Sequence, residues 1–254
     1  MNVNDSNPTK TQWKLKPLFF YHILAALLLI TLFSPFTKGF WEVIDVAFFK
    51  WINGSLKGHP WWQIFWALAN HKLADWVEDL FILTFFIAYV RTAHKTLRVR
   101  RIGELVFCIL YIAAILFFVN RVLFRENIEI PRLSPTLVVD SSVRLSEHIP
   151  WMKIKDSASK SFPGDHGTTA LLFAASYFIL ARGRLGILAC VYGAFLCLPR
   201  LITGAHWFSD IFVGSGAIAL IFLSWAFCSP LFQTFVNGWE RMFSFKRIKT
   251  EVPK

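Results

Sequence analysis

Residues 17–36 read PLFFYHILAALLLITLFSPF, a twenty-residue run without Asp, Glu, Lys or Arg. About 20 apolar residues of helix cross the hydrocarbon core of a bilayer. A backbone in lipid must satisfy its own N–H and C=O groups, so such a run is helical. Lys10, Lys14 and Lys16 precede it. Positive charge collects on the cytoplasmic side of a span, which puts the N-terminus inside. The basic start is like that of a signal peptide, but the apolar run is too long and no A-x-A site follows. The helix is therefore read as uncleaved.

The same signal recurs along the chain. Of its 254 residues, 55% are hydrophobic and 17% charged, whereas soluble domains carry about a quarter charged residues. Mean hydropathy is +0.48. Further spans are predicted at about 74–91, 103–123, 167–182, 185–199 and 207–229. Between the first two spans, FWEVIDVAFFKWI and PWWQIFWALAN are rich in Trp and Phe. The first is amphipathic and the second too short to cross, which predicts interfacial helices within 40–70 on the outer side. RTAHKTLRVRR (91–101) holds five Lys/Arg in eleven residues and marks a cytoplasmic loop. A long polar loop, 124–165, then falls outside. The expected fold class is an all-α polytopic bundle of six transmembrane helices. It forms one integral membrane domain over 1–254, with basic cytoplasmic tails at 1–16 and 241–254.

The net charge of +11 does not point to nucleic acid. Fifteen of the 27 Lys/Arg fall in the proposed cytoplasmic segments, and no nucleic-acid motif accompanies them. The outer loop still holds six, so it is expected to use cations. Cys108, Cys190, Cys197 and Cys228 lie inside apolar runs without ligand spacing. They read as small buried side chains rather than disulfides or a metal site.

Three polar clusters interrupt the apolar chain, and the topology puts all three on the outer side. The first is Arg125-Glu-Asn-Ile-Glu-Ile-Pro-Arg132, followed by Leu133-Ser134-Pro135. The second is SFPGDHG, Ser161 to Gly167. The third is Pro199-Arg200-x5-His206-x3-Asp210. If a helix has begun by residue 206, His206 and Asp210 share a face, and the carboxylate can fix the imidazole tautomer. The other ring nitrogen is then a nucleophile. Arginines grip phosphoryl oxygens with paired hydrogen bonds, and His166 can protonate a leaving oxygen. Gly164 and Gly167 let backbone N–H groups approach an anion near a helix N-terminus. These parts suit phosphoryl transfer through a phosphohistidine. His-x3-Asp also suits two metal ligands, but a third ligand is lacking and the arginines would repel a cation. No metal or cofactor is expected. His22, His59, His71, His94 and His148 are read as structural or solvated.

The pattern resembles that of the type-2 phosphatidic acid phosphatase (PAP2) family: K-x6-R-P, then P-S-G-H, then S-R-x5-H-x3-D. The third motif matches at Arg200, His206 and Asp210, with Pro199 in place of Ser. The second matches at Pro163 and His166, with Gly164 and Asp165 in place of Ser and Gly. The first keeps two cations at the family spacing, Arg125 and Arg132. The resemblance covers residues 103–229. It implies that His206 is the nucleophile, Asp210 its orienting partner and His166 the general acid. Arg132, Arg200, Gly164 and Arg125 would bind phosphate, Gly164 through its N–H in place of the missing Ser. The strings Ser134-Pro-Thr-Leu137, Lys155-Asp156, SFPGDHG and PRLITGAHWFSDIFVGS are similar to the lipid A phosphotransferase branch of that family. This branch implies a bacterial inner-membrane protein with a periplasmic site. Its reaction would move a phosphoryl group from undecaprenyl diphosphate to the 1-phosphate of lipid A.

An anionic acceptor needs extra cations nearby, and Lys153, Lys155 and Lys160 of the outer loop are candidates. Two alternatives remain open on the sequence. One is hydrolysis of undecaprenyl diphosphate or another lipid phosphate; the other is a non-catalytic scaffold or transporter. The expected partners are the lipid substrates and membrane lipids, with no obligate protein partner and no nucleic acid.

Overall fold

The computed structural model describes residues 12–250 apart from Glu129, with side chains described up to residue 243. Most of the N-terminal basic tail, the last four residues, and the side chains from 244 onward therefore lie outside the described part.

Among the described residues the regular structure is helical, with one isolated bridge between Arg132 and Lys160 in the long loop. The helices are α1 (Leu15–Phe33), α2 (Lys38–Gly54), α3 (Pro60–Ala69), α4 (Lys72–Arg91) and α5 (Arg98–Ile115). Then come two single turns, α6 (Pro135–Val138) and α7 (Leu145–His148), followed by α8 (Asp165–Ala181), α9 (Gly183–Ile202), α10 (Gly216–Cys228) and α11 (Leu231–Thr250). The helix of α5 runs on as a π-helix through Leu116–Ile128, and α10 is preceded by one at Asp210–Ser215. Sequence reading ended the helices at 229, and α11 extends them.

Among the described residues, four segments are long and apolar enough to cross a membrane: Leu15–Phe33, Lys95–Ile128, Gly183–Ile202 and Asp210–Cys228. The protein is thus a multi-pass membrane protein. The other two of the six expected spans do not meet that measure. The span at 74–91 carries Asp75, Glu78 and Asp79 near its start, and α8 has only 17 residues. On α1, Phe19, Phe20, Ile23, Leu27 and Ile30 are all more than half exposed. Such a surface is stable against lipid and not against water. Cys190 also faces outward on α9, whereas Cys108, Cys197 and Cys228 are buried as expected, and all four are free thiols.

The two helices that carry the second and third clusters form the centre. α8 and α9 pack along each other, joined through Arg182 and Gly183, both at positive φ. A Cβ on Gly193 would stand 2.7 Å from that of Ala174, so its absence is what brings α9 against α8. α10 packs on α1 and α8, and α5 on α8 and α11. At one end Tyr89 donates to Glu104 (2.6 Å), and Arg100 bonds Glu240 (2.8 Å) and Gln233 (2.9 Å). These bonds tie α4, α5 and α11 together.

α2 and α3 hold the long loop. Buried Asn53 accepts from the Val143 N–H (2.8 Å) and donates to the carbonyls of Val143 (3.1 Å) and Ile202 (2.9 Å). Asn70 donates to the Lys155 carbonyl and to Thr203 Oγ1, each at 3.0 Å. The loop is thus clamped to the end of α9. Its strand-like stretch alternates Met152, Ile154 and Asp156 inward with Lys153 and Lys155 outward.

Candidate active site

The third cluster folds differently from the expectation of one helical face. α9 ends at Ile202, the chain turns at Gly204, and helix resumes only after Trp207. Gly204 has φ +75°, and a Cβ there would lie 2.6 Å from Thr136 and 2.8 Å from Phe49. His206 therefore precedes the helix that carries Asp210. Its Nδ1 lies 2.6 Å from the Ser161 carbonyl oxygen and 3.7 Å from Asp210 Oδ2. A carbonyl only accepts, so Nδ1 carries the hydrogen and Nε2 keeps its lone pair. The tautomer is set by the backbone of Ser161, not by Asp210. Asp210, fully buried, instead accepts from the Trp207 N–H at 2.9 Å. With Trp207 as N-cap, this is the carboxylate half of a capping box.

The second oxygen of Asp210 accepts from Arg132 at 2.6 Å. Arg132 also donates to Asp45 Oδ2 (2.6 Å) and Ser209 Oγ (2.8 Å). Asp45 comes from α2, is 2% exposed, and accepts from the Ser209 N–H (2.8 Å) and Oγ (2.5 Å) as well. Two carboxylates thus hold one guanidinium behind His206. Leaving any of these charges unpaired at such burial would cost several kcal/mol, about 3–5. The structure places Arg132 as the brace of the His206 loop, with two of its nitrogens committed.

His166 stands in the first turn of α8, ahead of the apolar stretch 167–182. Its Nε2 is 2.7 Å from Arg200 Nη2. Arginine is always a donor, so Nε2 accepts and this imidazole is neutral. Burial first and the Arg200 charge second bring the His166 pKa down to about 4, against the opposing pull of Asp75. Arg200 is 6% exposed and also donates to the Asn70 carbonyl at 3.2 Å. His206 is close enough to His166 to act on its titration.

Gly164 caps α8 and packs on the ring of His206; a Cβ there would sit 3.6 Å from it. Its carbonyl accepts from Ser215 Oγ at 2.9 Å, which fixes α8 to the stretch after Asp210. Gly167 makes the same junction close, since a Cβ would lie 3.0 Å from Ile211. Asp165 bonds Arg125, and Asn120 donates to its other oxygen at 3.1 Å. Lys155 lies within electrostatic reach of Arg125, Asp165, Arg200 and Asp75, and burial together with Arg125 lowers its pKa. Lys153 points outward. Lys160 is linked to Arg132 by a backbone bridge.

His206, His166, Arg200 and Gly164 thus gather in one place, with Asp210 and Arg132 behind and Arg125 and Lys155 at the rim. Asp45, Asn70, Asp75, Asn120 and Ser161 were missed. Asp45 and Asn120 are polar residues set in otherwise apolar helical stretches, which is a signal available in sequence; Asn70 and Asp75 lie in a polar stretch that gives no such signal. Ser161 acts through its carbonyl, which no side-chain pattern reports. Among the described residues no group of three His, Cys, Asp or Glu could hold a metal ion.

A buried imidazole with an unspent nitrogen, a second imidazole and a guanidinium thus meet at the end of a membrane bundle. The chain matches the PAP2 superfamily over residues 140–241. It is 30% identical to the lipid A 1-diphosphate synthase of Escherichia coli strain K12 over 220 residues, which is 87% of this chain and 90% of that protein. It is 35% identical to the lipid A 1-phosphatase of Rhizobium johnstonii over 95 residues, 34% of this chain and 38% of that protein. No solved structure matches significantly. The chain belongs to the PAP2 superfamily and is an enzyme of the lipid phosphate phosphatase and phosphotransferase class.

Proposed function

We propose that the protein moves a phosphoryl group from undecaprenyl diphosphate to the 1-phosphate of lipid A. The observation that carries the chemistry is the Ser161 carbonyl on Nδ1 of His206, which leaves Nε2 as a nucleophile. Nε2 attacks the terminal phosphorus, and the bond to the prenyl phosphate oxygen breaks. His166 in its protonated form supplies that oxygen with a proton. An oxygen of the acceptor phosphate then attacks the phosphohistidine, the P–N bond breaks, and neutral His166 takes up the acceptor's proton. Arg200 grips the transferred group, helped by the Gly164 N–H and by the one Arg132 nitrogen, Nε, not held by a carboxylate. Arg125 and Lys155 at the rim suit an anionic acceptor, and Lys153 and Lys160 are further candidates from the same loop. A groove of about 610 Å³ between Leu32, Trp41 and Ile130 reaches Arg132 and suits a lipid chain. No metal or cofactor takes part.

The similarity to a lipid A 1-diphosphate synthase over most of the chain supports the acceptor. The shorter match to a lipid A 1-phosphatase keeps hydrolysis of a lipid phosphate as the second reading. In both, six helices cross a bacterial inner membrane, with α4 and α8 as the short spans and the site facing the periplasm. Incubation with prenyl diphosphate labelled in its terminal phosphate decides between them. Label is expected in lipid A. Label recovered as inorganic phosphate alone, with lipid A present, would leave hydrolysis.

A further inference from the structure

The carboxylate of Asp75 is a charge at this site that lies outside the matched segment 140–241 and outside all three motifs. It comes from the first turn of α4. Asp75 Oδ1 lies 3.4 Å from Arg200 Nη2 and 3.5 Å from His166 Nε2, and those two nitrogens are 2.7 Å apart. The three groups close a triangle. A tetrahedral anion competes for the same guanidinium with stronger, paired hydrogen bonds. When Arg200 turns to it, His166 Nε2 loses its donor and becomes free to take a proton. Asp75 then remains beside it.

Resting on the proposed function, we propose that Asp75 is a positioning residue: it holds Arg200 and His166 in mutual reach, and it is the counter-charge left for protonated His166 once an anion draws Arg200 away. The charged groups facing His166 are Arg200 on α9, Asp75 on α4, His206 in the loop after α9, and Asp165 beside it on α8. Lys155 from the long loop acts on Asp75 and Arg200, and Glu78 and Asp79 lie within reach of Asp75 on α4. Asp165 is already engaged by Arg125 and Asn120. Asp75 has no such second cation bond apart from Arg200 among the bonds described. An imidazolium carries two N–H groups, so one can rest on Asp75 while the other serves the leaving oxygen.

The sign follows from the neutral resting ring. With its pKa lowered to about 4, His166 carries no proton at pH 7. Binding an anion therefore takes up a proton if Asp75 then stabilises the charged ring. The test is calorimetry of inorganic sulfate binding to the full chain in detergent, at pH 7, in two buffers of different ionisation enthalpy. Sulfate keeps its charge there, so the proton counted belongs to the protein. The native protein and Asp75→Glu are expected to take up about one proton per sulfate. Asp75→Asn, and Asp75→Ser as a second neutral variant, are expected to bind sulfate with less than half that uptake. Their high-pH loss of turnover should also begin lower, by on the order of one pH unit. Uptake in both neutral variants equal to that of the native protein would overturn the role. Failure of the native protein to bind sulfate would sink the anion site and this inference together. Sulfate binding with the expected uptake, but no turnover of any lipid phosphate, would overturn the proposed function and leave Asp75 in place.

Discussion

His206 and His166 have different environments, and the difference matches the roles proposed for them. His206 is buried, with one nitrogen spent on a backbone carbonyl and the other unspent. His166 sits half-exposed at the start of α8, with its Nε2 facing a guanidinium and a carboxylate. The proposed transfer uses the first as nucleophile and the second as proton carrier. His206→Ala is expected to abolish turnover, and no phosphoprotein should be trapped by an alkaline quench. His166→Ala should lower the rate by about 10²–10⁴-fold, the usual contribution of a general acid. Release of labelled prenyl phosphate measures both. Asp210 is different again. Its two oxygens serve Trp207 N–H and Arg132, so its loss acts through the shape of the loop.

At the scale of elements, the site depends on how closely three pieces of backbone approach. The Asp210–Ser215 segment passes α8 at Gly167 and passes the Ser161–Pro163 turn at Gly214. A Cβ on Gly214 would lie 2.5 Å from the ring of Phe162, itself 3% exposed. Phe162 adjoins Ser161, whose carbonyl sets His206. Gly214→Ala should therefore push on the very carbonyl that fixes the tautomer. It is expected to cost about 1–3 kcal/mol, the usual cost of overpacking, and to reduce turnover. Gly39→Ala is the contrast, because nothing lies within 4 Å of a Cβ there. Thermal unfolding of the two variants in detergent, with their rates, checks this. π-Helical turns often mark functional sites, and here one follows directly from Asp210.

For the whole molecule the question is which end faces out. The site and the loop that covers it stand at one end of the bundle. The Arg100, Glu104 and Glu240 cluster ties α5 to α11, where the basic loop 91–101 begins α5. Lys153, in the long loop, and Lys95, in the basic loop, are both exposed. In intact spheroplasts, Lys153→Cys is expected to react with a membrane-impermeant maleimide, and Lys95→Cys to react only after lysis. The reverse pattern would turn the protein over in the membrane and place the site inside. The proposed six spans require this outcome, since α4 and α8 must then cross despite their acidic start and short length.

Much of this was legible along the chain. Apolar runs of bilayer length fix a helical membrane protein because no other backbone survives in lipid. The spacing Arg200-x5-His206-x3-Asp210, with His166 before it, carried the resemblance to the PAP2 superfamily, to which the chain belongs. Folding in three dimensions chose the partners. A carbonyl from Ser161 took the role expected of Asp210, and Asp45 claimed Arg132. Asp75 joined His166 and Arg200 from a helix far away in sequence. The reason is that hydrogen bonds are settled by proximity and direction, and a pattern of residue types carries neither across a hundred residues of chain.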